Sequence, residues 1–134
     1  MEKETQLENK EVKSFHVDLI NWKTNLQRLD NELYFLKKLL NSNAFASNIP
    51  NVYEILTNFK IQLKDIEKSA LVLYEELQVH ENQLGGLLEC DTIYCDHFYV
   101  KRHKEVQYMY KKFCDIFAQE KNDMYLKLAT ILRF

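Results

Sequence analysis

The sequence predicts an all-α protein, an elongated antiparallel three-helix bundle running up, down and up with coiled-coil-like packing. Two observations predict it. Val12, Phe15, Leu19, Trp22, Leu26, Leu29, Leu33, Leu36 and Leu40 are spaced alternately three and four residues apart without a lapse, which is the seam of a long helix built to pack on other helices. The 134 residues also contain only two glycines and one proline, so connections must be few and elements long.

The first helix is expected over about 8–43, after a charged stretch, 1–10, read as a frayed terminus or a first turn. Glu11, Lys13, Lys23, Arg28, Lys37 and Lys38 supply its solvated face. Asn41, Ser42, Asn43 and Asn48 disfavour further helix, and Pro50 pre-sets the start of the next one. The loop between them, 42–50, carries Ala44, Phe45, Ala46 and Ile49, so it is expected to cap the core.

The second helix, expected over 50–84, repeats the pattern through Val52, Leu56, Phe59, Leu63, Ile66, Ala70, Leu73, Leu77, His80 and Leu84. His80 is the one polar residue on that stripe. Gly85 and Gly86 are expected to end the helix. A third helix, over about 92–131, has a wider, more aromatic stripe: Tyr99, Val106, Met109, Tyr110, Phe113, Ile116, Phe117, Met124, Leu128 and Ile131. Glu120, Lys121, Asn122 and Asp123 interrupt it, which reads as a solvated turn. Adjacent apolar residues such as Ile116 and Phe117 cannot both face one narrow seam, which implies spare apolar surface.

All of residues 1–134 make one domain, large enough to bury a core without staples. No run of about 18 apolar residues is present, and the first residues lack the apolar segment of a signal peptide, so a cytoplasmic location is expected. Cys90, Cys95 and Cys114 are odd in number and spread out, fitting reduced thiols. Lys plus Arg against Asp plus Glu count 7 to 7 over residues 1–45, 3 to 7 over 46–90 and 8 to 6 over 91–134. The middle helix is thus acidic and the last mildly basic.

The histidines are the first candidates for chemistry. If the loops centre near residues 46 and 88, His80 lies level with about position 12 of the first helix and position 96 of the third. His16, His80 and His97 would then gather at one end of the bundle. Glu76 lies one turn before His80, and Glu81 and Asp96 adjoin His80 and His97. Inward imidazoles and carboxylates on facing helices are how bundle metal sites are built, so a transition metal held by His16, His80, His97 and Glu76 is the alternative reading. Against it, neither Glu-x-x-His nor His-Glu-x-x-His occurs. No cofactor is therefore expected, and a hydrogen-bonded histidine that fixes packing is the first reading of His80.

Cys90, Cys95 and His97, with His80 as the fourth ligand, give a second metal pattern, for zinc, but no second cysteine pair accompanies it. Lys101, Arg102, His103, Lys104, Tyr108, Tyr110, Lys111 and Lys112 form a basic and aromatic run that Asp96, Glu105 and Asp115 dilute, so a nucleic-acid partner is not expected. The one glycine pair lacks the lysine and hydroxyl residue of a phosphate loop.

His16 followed by Trp22, then Glu32-Leu33, His80-Glu81 and Asp96-His97 resemble a family of short, uncharacterised bacterial helical-bundle proteins over about residues 12–130. The resemblance implies the helical fold and a histidine layer, and brings no activity, substrate or cofactor. What the sequence leads to expect is a non-enzymatic structural or interaction module that meets a protein partner, or its own copy, through helix faces.

Overall fold

Of the nine seam residues on the first helix, eight are buried, and Leu29 packs half-buried against them. The computed structural model describes residues 2–87 and 93–133, with side chains over 12–84 and 97–133. It holds three helices, α1 (Glu2–Leu40), α2 (Val52–Leu87) and α3 (Ile93–Ala129). The second seam closes with Leu63, Ile66, Leu73, Leu77, His80 and Leu84 buried, and the third with Val106, Phe113, Phe117, Met124, Leu128 and Ile131. Apolar side chains spaced at about 3.5-residue intervals on three helices leave water together by packing seam to seam around one core.

Side-chain pairs fix direction and register. Lys23 meets Glu81 and Lys37 meets Glu67, so fourteen residues forward on α1 match fourteen back on α2. Asp18 meets His103 and Asn25 meets Tyr110, seven forward on both helices. Helices α1 and α3 are therefore parallel, with α2 antiparallel to each. α1 packs along α2 and α2 along α3, while α1 and α3 approach one another least.

The helix ends depart from expectation for local reasons. α1 begins at Glu2 rather than residue 8, since 2–11 is made of helix-compatible residues with no breaker among them. It ends at Leu40, where Asn41 Nδ2 donates to the Lys37 carbonyl (2.8 Å) and the Ser42 hydroxyl to that of Leu39 (2.7 Å). Asn51, at φ 65°, takes the left-handed conformation that asparagine tolerates, and its carbonyl accepts from the Ile55 amide on the first turn of α2. Gly85 and Gly86 do not end α2. Neither has positive φ, and a glycine inside a helix costs only about 1 kcal/mol against alanine, too little to stop a long packed helix.

The register departs further. With Lys37 beside Glu67, Leu40 stands level with about residue 64, so residues 52–63 of α2 run about 18 Å beyond the end of α1. The connection between α1 and α2 packs against the core there through Ala44, Phe45 and Ile49. Phe45 forms an antiparallel bridge with Leu132: the Ala46 amide donates to the Ile131 carbonyl and the Arg133 amide to that of Ala44, each at 2.9 Å. α3 passes unbroken through Glu120–Asp123. Lys121 fills the seam position there, half-buried, with its ammonium 2.7 Å from a Glu32 carboxylate oxygen.

Candidate functional site

Two polar side chains lie fully inside the described core, His80 on α2 and His103 on α3. They bond to each other, His80 Nε2 to His103 Nδ1 at 2.8 Å. The other nitrogen of His103, Nε2, lies 2.7 Å from Asp18 Oδ2 on α1. One hydrogen-bonded line thus joins all three helices. The chemistry of the groups fixes the protons: a carboxylate only accepts, so His103 Nε2–H donates to Asp18, and neutral His103 then accepts at Nδ1 from His80 Nε2–H. That leaves His80 Nδ1 as a bare lone pair, buried and without a partner. One turn on, Gln83 Oε1 is a second buried acceptor without a partner.

Aromatic rings cover the relay. Phe15 stacks on the His103 imidazole with centroids 3.9 Å apart and planes 16° from parallel, and Trp22 stacks on it at 5.0 Å and 22°. Trp22 also stacks on Tyr110 at 5.3 Å, whose phenolic oxygen accepts from Asn25 Nδ2 at 2.6 Å. Burial among these rings disfavours the imidazolium forms. His80 is pushed down from 6.5 to about 4, first by burial and then by the charges of His103, Arg102 and His16. Burial also lowers His103, against the opposing hydrogen bond and charge of Asp18. Both imidazoles are consequently neutral at pH 7.

The expected histidine layer is only partly what the register assembles. His80 is at its centre, and His16, half-buried on α1, is near enough for its charge to act on it. His97 is exposed, almost two turns of α3 before His103. The offset follows from α2 running on to Leu87, which slides the facing level of α3 from about residue 96 to His103. Glu76 bonds to Arg102, which also reaches Glu105, and Glu81 bonds to Lys23. Among the described residues no three His, Cys, Asp or Glu are grouped to hold a metal ion.

His103 and Asp18 are the residues that sequence reasoning missed, although a signal for His103 existed. The third stripe jumps seven residues from Tyr99 to Val106, and His103 stands four after the first and three before the second, on the seam itself. The run Lys101-Arg102-His103-Lys104 read instead as a basic surface. The structure splits it: Lys101 and Lys104 are exposed, Arg102 is half-buried in ion pairs, and His103 is core. Cys114 is half-buried beside Tyr110 and Asn25, and burial pushes its thiol up, away from the reactive thiolate. Cys90 and the side chain of Cys95 lie outside the described residues.

The surface has a second candidate. α2 and α3 leave an open groove of about 460 Å³. Ile66, Leu73, Met109, Phe113 and Phe117 line it with Val72 and Ile116, which are 55% and 46% exposed. The larger hollow between α1 and α2, about 930 Å³, has Leu26, Leu33, Leu71 and Tyr74 in its wall beside Lys23, Lys37, Asp30 and Glu67, and is the more polar of the two. Among the described residues no helix is long and apolar enough to cross a membrane. No protein-family model, no curated protein and no solved structure matches this chain.

Proposed function

We propose that this chain is a non-enzymatic helical scaffold that acts by presenting a helix face, and that the partner it receives is a second copy of itself. The observation that carries the reading is the open apolar groove between α2 and α3. Its exposed Ile116 belongs to the spare surface expected from the wide third stripe, and exposed Val72 adds to it from α2. Charge selects the occupant. Asp65 and Glu120 lie toward one end of the groove, and Lys68 and Lys112 lie further along it. A twofold axis passing near Ile116 sets the carboxylates of each copy against the lysines of the other, and such a self-complementary contact closes at two. The buried relay belongs to this reading as the pin that holds the groove's two helices in one register.

Sedimentation equilibrium tests it. The expected result is a mass that rises with concentration from 16.1 kDa toward twice that value. Ile116→Glu, on a half-exposed position, is expected to return the protein to 16.1 kDa while leaving its helical circular dichroism unchanged. A mass fixed at 16.1 kDa up to millimolar concentration overturns the proposal.

A further inference from the structure

We propose that the His80–His103–Asp18 relay is an acid-operated latch, which holds the end of α2 onto α1 and α3 at neutral pH and releases it in mild acid while the opposite end of the bundle stays closed. The proton inventory of the line leaves no place for an extra proton between its members. Each of its two hydrogen bonds needs one proton, and neutral imidazoles supply exactly those two when His103 Nδ1 is left to accept. On the imidazoles an added proton has two places to go. On His103 Nδ1 it turns the 2.8 Å contact with His80 Nε2–H into two facing donors. On His80 Nδ1 it places a charge on a buried atom that has no hydrogen-bond partner among the described residues.

The surroundings do not absorb the charge. From α1 the relay faces Asp18 and His16, from α3 Arg102 and His103, and along α2 itself Glu76 and Glu81. Both α2 carboxylates are already held, Glu76 by Arg102 and Glu81 by Lys23. Asp18 reaches His103 only. The ring above the relay is Phe15 and the next is Trp22, whose faces offer no replacement for lost hydrogen bonds.

The direction with pH follows by linkage. His80 is held at about 4 in the closed form and returns to about 6.5 when its end of α2 opens to water. The closed form is therefore fully favoured above 6.5, loses ground as pH falls through the range from 6.5 to 4, and loses no more below 4, where both forms carry the proton. From His80 alone the open population at pH 5 is about 30-fold above that at pH 8.

Native-state hydrogen exchange on the full chain, corrected for intrinsic rates, reads this directly. Amides of Leu77–Leu84 are expected to lose about 30-fold in protection between pH 8 and pH 5, with those amides of Val52–Leu63 that exchange through openings leaving His80 buried unchanged. Trp22, the single tryptophan, stacks on His103 and should report the same transition in fluorescence. His80→Gln keeps a side-chain N–H near the Nε2 position without a titrating group, and is expected to remove most of the acid response. Equal loss of protection along the whole chain, or an undiminished acid response in His80→Gln, overturns the latch. Should that variant fold poorly, the imidazole resonances of the unaltered chain decide instead: His80 staying neutral to about pH 4 in the closed state supports the latch, and ordinary titration near 6.5 with protection intact overturns it.

Discussion

His103 shows what a polar residue on a packing seam requires. Each imidazole nitrogen of this residue meets a partner from a different helix, Asp18 on α1 and His80 on α2, and so the group is satisfied in the core. Removing it strands both partners. His103→Leu fits the apolar surroundings but leaves His80 Nε2–H and Asp18 without their bonds, and is expected to cost about 1–3 kcal/mol in urea unfolding at pH 7. His80→Leu combined with His103→Leu removes both ends of the inner bond and is expected to cost less than the sum of the single changes. Strict additivity in that double-mutant cycle would mean that the two imidazoles do not interact energetically. Lys121 illustrates the opposite solution on the same helix: its ammonium lies over the Phe117 ring, 5.3 Å from the centroid, and also reaches the Glu32 carboxylate.

Among the elements, helix identity and inward faces were legible because each seam is written in consecutive turns: Trp22, Leu63 and Phe117 are buried where the spacing puts them. Ends were less legible. A glycine pair marks a helix end only if the backbone there turns left-handed, and Gly85 and Gly86 stay helical. Since α2 continues past them, Gly85→Ala is expected to raise stability by about 1 kcal/mol, measured as a higher urea midpoint at unchanged slope. A loss of stability would place a left-handed or crowded backbone at that position. The candidate site was half legible for the same reason. His80 stands alone on an otherwise apolar stripe, whereas His103 hides in a run of lysine and arginine, and Asp18 sits one residue off the α1 seam as an ordinary solvated acid.

At the scale of the whole molecule, register is what a local reading of periodicity cannot supply. It depends on the path of the connections, and the one after α1 spends its residues running beside α2 and α3 rather than turning back at once. That path carries Phe45 to Leu132, where two backbone hydrogen bonds and a buried ring fasten the segment after α1 to the segment after α3. In the time domain this clasp has a fixed rank. Its two halves are separated by 87 residues, so loop closure delays it until the helices between them have docked. A contact made after the folding barrier appears in the rate of unfolding. Phe45→Ala is expected to cost about 3 kcal/mol, nearly all of it as faster unfolding in stopped-flow urea jumps, with the refolding rate almost unchanged. The clasp thus sets how long a folded molecule lasts, and has little influence on how quickly one is made.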